Sequence, residues 1–382
     1  MQTFFPFLIP RVEKELWTSR QRQSHSMQEV PYRACFKAEL PQYFIDRYSK
    51  EGDAVLDPFM GRGTTLLTAA LAGRVAYGCD INPLCERMII PRLDPPSQTD
   101  VLARLEILDL CGNVELREDL LAFYHPETLR NLQTLREYFI QREKDHALDA
   151  VDAWIRMVAT TRLTGHSNGF FSVYTLPPNQ AVSVDSQQKI NLRLKQAPEP
   201  RAVKNLIAKK SAQLLRDLSE ENRKALAHGF KRRGIRTSAA QDLSWIPKRT
   251  IDLVVTSPPF LDEVDYESDN WLRCWFCGVE LDTESKPHIH GKLPDWEAMM
   301  VSVLKELSRV VRRGGIIAIE VGEIRKGKLH LEETILAAGD SAGLKTKEVL
   351  VNRQHFTKTS NCWGIQNQTK GTNSNRIVLF EN

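Results

Sequence analysis

Two stretches hold residues whose types and spacing can do chemistry: VLDPFMGRGTT, Val55 to Thr65, and IDLVVTSPPF, Ile251 to Phe260. In the first, Asp57 ends an apolar run, and Gly61 and Gly63 stand in a turn before a helical pattern. Glycines there let a ligand approach the backbone, and the helix N-terminus behind them favours an anionic group such as a carboxylate. Asp80 ends the next apolar run, where a carboxylate can accept both hydroxyls of a ribose. A GxG turn by itself serves many nucleotides. The dinucleotide pattern GxGxxG is excluded because position 66 is Leu66, and a P-loop is excluded because no GK[ST] follows. A ligand with a ribose and a carboxylate but no pyrophosphate suits these parts, and S-adenosylmethionine is such a ligand. The second stretch begins as a buried strand and stops at Ser257, Pro258, Pro259 and Phe260, an ending that strand propensity does not explain.

The elements that must position these residues follow from periodicity. LPQYFIDRYS carries apolar residues at helical spacing, KEGD breaks it, and AVLD reads as a short buried strand. TTLLTAALAG is a helix closed by Gly73, and RVAYGCDINP is a second strand ending on an acid. This β-α-β unit begins a Rossmann-like, doubly wound α/β sheet. From about Pro95 to Gly234 the pattern is mainly helical, interrupted by TGHSNGFFSVYTLPPNQAVS. The sheet resumes with GIRTSAAQDL and TIDLVVTSPPF. A helix around WEAMMVSVLKELSRVV, the strand GGIIAIEVGE, the helix LEETILAAGDSAG and closing strands at TKEVLVNR and NRIVLFE complete it. The expected organisation is one sheet domain in two parts, residues 1–95 and 236–382, split by a helical insertion at 96–235.

The segments VLDPFMGRGTT and GCDINP together resemble the cofactor region of the amino-methylating DNA methyltransferases, which methylate N4 of cytosine or N6 of adenine. FKAELPQYFIDRYSKEGDAVLD is similar to the preceding segment of that family, which helps hold the methionine part of the cofactor. The resemblance implies the fold of a class I S-adenosylmethionine-dependent methyltransferase. It implies cofactor contacts from Phe36, Lys37, Asp57, Pro58, Phe59, Gly61, Gly63, Thr64, Thr65, Asp80 and Asn82. Family members carry an acid near the third strand in a segment like GDARDL; SAAQDL has Ala239 at that place and keeps Asp242, which is taken as the remaining contact.

In this family [DNS]PP[FYW] forms the target end, and TSPPF matches it, in a form more similar to N4-cytosine than to N6-adenine members. An exocyclic amine is a poor nucleophile because its lone pair is delocalised into the ring. Acceptors on its two N–H bonds make the nitrogen more pyramidal and stabilise the charge of the transition state. Ser257 Oγ and the Pro258 carbonyl are the expected acceptors, Pro259 helps fix the backbone, and Phe260 stacks on the base. Such a base cannot be reached within a duplex, so it is flipped out or presented on a single strand. Methylation at C5 would need a cysteine nucleophile, typically after proline, and the chain has no Pro-Cys pair. No metal is expected. Tyr266, Asp269, Asn270 and Trp271, in VDYESDNW, either line the target pocket or pack an aromatic helix. N6-adenine, a base amine in RNA and a non-catalytic DNA-binding module are the alternatives.

Bulk properties restrict the setting. The net charge of the 382 residues is +4, but residues 187–236 hold fourteen Lys or Arg against four acids. A one-signed excess of that kind seeks a polyanion, here double-stranded DNA, with Lys209, Lys210, Arg232 and Arg233 as expected phosphate contacts. In the resembled family, with the cofactor segment first and the target motif later, the basic insertion is the expected target-recognition region. The seven cysteines are odd in number and scattered, which fits reduced thiols. Cys274 and Cys277 form a CxxC with no second pair, which reads as packing. MQTFFPFLIPRVEKE lacks a basic start and a small-residue cleavage site, so a cytoplasmic protein associated with the nucleoid through DNA is expected.

Overall fold

The computed structural model describes residues 9–14, 25–32, 35–175, 181–259, 266–279, 292–324, 329–353 and 374–382. In chain order the elements begin with β1 (Arg11–Lys14), α1 (Glu39–Tyr48), β2 (Ala54–Asp57), α2 (Thr64–Leu71) and β3 (Val75–Asp80). A run of helices follows: α3 (Leu84–Leu93), α4 (Gln98–Ile107), α5 (Pro126–Lys144), α6 (Ala150–Thr160), α7 (Val184–Leu194), α8 (Val203–Leu215) and α9 (Glu220–Phe230). The sheet resumes with β4 (Gly234–Thr237) and β5 (Ile251–Thr256), then α10 (Tyr266–Cys277) and α11 (Leu293–Val310). The chain closes with β6 (Val311–Ile324), β7 (Leu329–His330), α12 (Leu331–Ser341), β8 (Lys345–Arg353) and β9 (Ser374–Glu381).

The strand order is β1-β8-β9-β6-β5-β2-β3-β4, with β7 beside β6. From β6 to β4 the neighbours are parallel, and β9 runs against both β6 and β8. This is the Rossmann-like α/β sheet that the sequence implies, with a helical insertion between β3 and β4. The chain leaves β2 toward β3 and β4, then returns to the other side of β2 as β5. The order of winding therefore reverses between β2 and β5, and at such a point ligands bind beyond the carboxyl ends of parallel strands.

The central strands read as unbroken apolar runs because both their faces are covered. In β5, Leu253 and Val255 pack with α1 residues Leu40, Phe44 and Ile45, whereas Ile251 and Val254 pack with Val303, Leu304 and Leu307 of α11. A third apolar cluster joins α2, α3 and α10 to helices of the insertion, with Trp154 and Phe139 fully buried in it. Polar ties accompany this packing. Asp152 on α6 is fully buried, accepts from Tyr138 Oη at 3.0 Å and from Arg142 Nε at 2.5 Å, and also meets Arg104 of α4.

Two details differ from expectation. GIRTSAAQDL is a strand only over GIRT, since the chain turns after Thr237. The edge strand β1 is not foreseen: all four of its residues are exposed, so it has no apolar periodicity, and pairing with β8 alone defines it. Among the described residues no helix is long and apolar enough to cross a membrane.

Candidate active site

The carboxyl ends of β2, β3 and β5 are neighbours, and they carry Asp57, Asp80 and the Ser257-Pro258 dipeptide. After β2 the chain makes the turn that opens α2. Gly61 and Gly63 have φ of +47° and +78°, in the left-handed region that favours glycine. A Cβ on Gly63 would lie 2.4 Å from Ile89 Cδ1, so that turn has no room for a side chain. Gly61 donates its N–H to Asp80 Oδ2 at 3.0 Å, and Asn82 donates its N–H to Asp80 Oδ1 at 3.0 Å. The Asp80 carboxylate is thus oriented by two backbone donors at the rim of the sheet. Asn82 is itself buried, with its Oδ1 accepting from Leu84 N at the start of α3.

Asp57 is buried and accepts from Thr256 Oγ1 at 2.6 Å and from Phe59 N at 3.1 Å. Burial pushes its pKa up to about 6, against the opposing pull of those hydrogen bonds and of Thr65. Thr64 and Thr65 both face inward: Thr64 Oγ1 accepts from Arg62 Nε at 3.0 Å, and Thr65 Oγ1 donates to the Val255 carbonyl at 3.1 Å. Pro58 is buried, and its carbonyl accepts from the Cys79 thiol at 3.4 Å. Phe59 is half-buried against the α11 side. Phe36 and Lys37 are half-buried ahead of α1, with Phe36 against the cluster on that face.

The target motif leaves β5 directly. Ser257 is half-buried and Pro258 buried, and the Pro259 carbonyl accepts from Trp296 Nε1 of α11 at 3.0 Å. Trp296 therefore anchors the second proline while Ser257 continues from the strand. Phe260 lies outside the described residues, as do residues 176–180 and the polar segment 354–373.

The remaining expected contacts divide between buried and exposed positions. Lys210 is buried, not on a phosphate-facing surface: its Nζ donates to Gln213 Oε1 at 3.0 Å, and burial lowers its pKa to about 8. Arg233 folds back onto the Phe230 ring, 3.4 Å from the centroid, and donates to the Phe230 carbonyl. Lys209 and Arg232 are exposed. Asn270 is buried and accepts from Arg273 Nη1 at 2.9 Å. Trp271 donates to the Val182 carbonyl at 3.2 Å and meets Phe123 edge-on, which is the packing alternative. Asp269 is buried too, and its carbonyl accepts from Ala181 N. Tyr266 is the first residue of α10, its side chain outside the described part. Asp242 is exposed and caps its own turn by accepting from Ser244 N at 3.1 Å, which holds its pKa below the usual carboxylate value. Cys274 and Cys277 are buried in α10, with Cys277 Sγ 3.2 Å from Thr160 Oγ1.

Several residues at the site escape pattern reading. Arg62, between the two glycines, is buried and donates to the Gln28 and Val30 carbonyls at 3.1 and 2.7 Å. Arg92 of α3 is fully buried and donates to the Met27 carbonyl at 3.2 Å and to the Arg62 carbonyl. Burial and the neighbouring Arg62 lower its pKa to about 9. These two cations clamp residues 27–30 against the glycine turn, and Tyr32 follows, with its ring 3.5 Å from where a Gly61 Cβ would stand. Glu320 of β6 is buried one residue beyond Ile319, the register partner of Thr256. The cue in the sequence is a charged residue inside each otherwise apolar or glycine-rich stretch.

Residues 10–90 match the family model described as DNA methylase. The Type II methyltransferase M.BsoBI of Geobacillus stearothermophilus is 26% identical over 274 residues, 66% of this chain and 52% of the relative. The Type II methyltransferase M.MjaII of Methanocaldococcus jannaschii is 38% identical over 69 residues, 18% of this chain and 13% of the relative. The chain thus spans about half the length of M.BsoBI and less of M.MjaII. Among solved structures, a TehB-like SAM-dependent methyltransferase from Corynebacterium glutamicum is 9% identical, over 90% of this chain and 86% of the other, with a TM-score of 0.31. A likeness that distant says nothing of function. Over residues 10–90 the chain thus matches the DNA methylase family model, and it is similar to Type II methyltransferases over as many as 274 residues.

Proposed function

We propose that the protein is a site-specific DNA methyltransferase that places a methyl group on the exocyclic N4 of cytosine in double-stranded DNA, acting on a flipped base. The observation that supports this reading is the hydrogen bond from Thr256 Oγ1 to Asp57 Oδ1 at 2.6 Å, which joins the strand end before Ser257 to the strand end before the glycine turn. The donor set fits S-adenosylmethionine. A buried carboxylate at Asp57 suits the cofactor's ammonium, the oriented Asp80 suits ribose hydroxyls, and the N-terminus of α2 suits the carboxylate. When bound, that cofactor supplies an electrophilic methyl group.

The chain's own residues do the rest. Ser257 Oγ and the Pro258 carbonyl accept the two N–H bonds of the target amine, bringing its lone pair out of conjugation and stabilising the positive charge that develops. Among the described residues neither acceptor has another hydrogen-bond partner, so both are available to an amine. The N4 preference rests on the SPP form of the motif, and the exposed cations of the insertion, Lys209 and Arg232 among them, bind phosphate. Such an enzyme works in the cytoplasm, on the nucleoid, as a modification enzyme of the Type II kind.

The test is methyl transfer from labelled S-adenosylmethionine to unmodified duplex DNA and, separately, to RNA. Label in DNA alone is expected, and Ser257→Ala should slow the transfer about 100-fold while cofactor affinity stays near normal. Label in RNA alone would replace this reading.

A further inference from the structure

The register between β2 and β5 pairs Val55 with Leu253 and Leu56 with Val254. Neither Asp57 nor Thr256 is among those pairs, although these are the residues at which each strand hands over to its functional turn. Side chains join the two strand ends instead. Thr256 Oγ1 donates to Asp57 Oδ1 at 2.6 Å, and Thr65 Oγ1, in the first turn of α2, donates to the Val255 carbonyl at 3.1 Å. Both threonines are buried, at 1% and 0% exposure, so neither hydroxyl is needed for solubility. A valine would fill the same β-branched volume in a strand, and only the hydroxyl distinguishes the two. Asp57 is the first residue of the cofactor turn, and Thr256 is bonded in sequence to Ser257, the first acceptor of the target amine.

From this we propose that Thr256 and Thr65 are positioning residues: their hydroxyls lock the cofactor turn to the target motif across the β2–β5 seam and set the distance between methyl donor and amine. The inference rests on the reading of the site as that of an amino-methyltransferase, and it adds the device that aligns its two halves. Neither hydroxyl touches the reacting atoms. Their contribution is geometric, and in-line transfer is steeply sensitive to geometry, a misplacement of about 1 Å costing on the order of 100-fold in rate.

The test compares wild type, Thr256→Val, Thr256→Ser and Thr65→Val in single-turnover methyl transfer to duplex DNA, with dissociation constants for S-adenosylmethionine and DNA measured on each. Thr256→Val should transfer about 10- to 100-fold more slowly while both dissociation constants stay within about threefold, because Asp57 keeps its bond from Phe59 N. Thr256→Ser, which restores the hydroxyl, should recover most of the rate. Thr65→Val should shift the rate in the same direction, and it carries the test if Thr256→Val does not fold. Transfer by Thr256→Val at the wild-type rate would overturn the proposal. So would a Thr256→Ser variant as slow as the valine, or a loss of rate matched by an equal loss of cofactor affinity. A wild-type protein that transfers no methyl group would instead remove the reading of the site itself, and the inference with it.

Discussion

At the scale of single residues, Asp57 shows how burial and function pull in opposite directions. Its carboxyl titrates near pH 6 in the folded protein, against 3.8 as a free side chain, with burial as the largest cause. A folded-state pKa raised in this way means that the group's stabilising contribution is complete below pH 3.8 and is lost as pH rises through 6. At pH 8 the ionised carboxylate therefore destabilises the fold, by up to about 3 kcal/mol. Asp57→Asn keeps the shape and should raise the melting temperature at pH 8, with the gain shrinking toward pH 4; calorimetry at both values checks it. The same variant should lose cofactor affinity, and wild-type affinity for S-adenosylmethionine should fall as pH drops below about 6, where the carboxylate takes up a proton. A melting temperature lowered equally at both pH values would contradict this account. The residues that the sequence singles out are those of short motifs: Asp57, Gly61, Gly63, Asp80 and Ser257. Thr256 and Arg62 sit inside the same motifs but give no such signal, because their work is to bond a partner 199 and 34 residues away, and spacing along the chain does not encode such partners.

Elements are where local chemistry becomes geometry. The turn between β2 and α2 needs two glycines for different degrees of the same reason. Gly63→Ala would place a Cβ 2.4 Å from Ile89 Cδ1 at a φ of +78°, whereas at Gly61 the nearest atom, in Tyr32, is 3.5 Å away. Gly63→Ala should therefore cost more than about 2 kcal/mol of stability and Gly61→Ala about 1 kcal/mol, read by denaturant titration. The helical insertion has its own keystone in Asp152, which joins α4, α5 and α6. Asp152→Ala leaves Tyr138 without its acceptor and the two partly exposed arginines with Asp149 alone, and should destabilise by about 1–3 kcal/mol. The basic segment illustrates what composition conceals. Its fourteen cations are equivalent as a sequence. In the fold Lys210 is buried, Arg223 donates to the Pro95 and Pro96 carbonyls, and Arg233 lies on Phe230, while Lys209 and Arg232 remain exposed. Neutralising Lys209 and Arg232 should weaken DNA binding and flatten its salt dependence, the slope falling by about one for each phosphate that goes unneutralised. Neutralising Lys210 should instead leave the slope unchanged, because its Nζ is buried against Gln213 and faces no phosphate.

For the whole molecule, the order of elements is legible in the sequence because each central strand is apolar on both faces and each helix carries a stripe at helical spacing. The edge strand β1 is not, since an exposed strand held by backbone pairing alone leaves no pattern in its side chains. What the fold adds is adjacency. Asp57 and Thr256 are 199 residues apart in the chain and meet at the point where the winding of the sheet reverses. That meeting brings two motifs, each common in α/β proteins, to one edge of the sheet, where the proposed site has its cofactor side and its target side. The insertion shares an apolar cluster with α2, α3 and α10, so the surface proposed to hold DNA is continuous with the packing around the site. The most direct measurement is incubation of the protein with isotopically labelled S-adenosylmethionine and unmodified duplex DNA, digestion to nucleosides, and mass spectrometry of the labelled product. N4-methylcytosine is the predicted result. N6-methyladenine would keep the mechanism and change the base, and the absence of any labelled nucleoside from a protein that binds the cofactor would contradict the account.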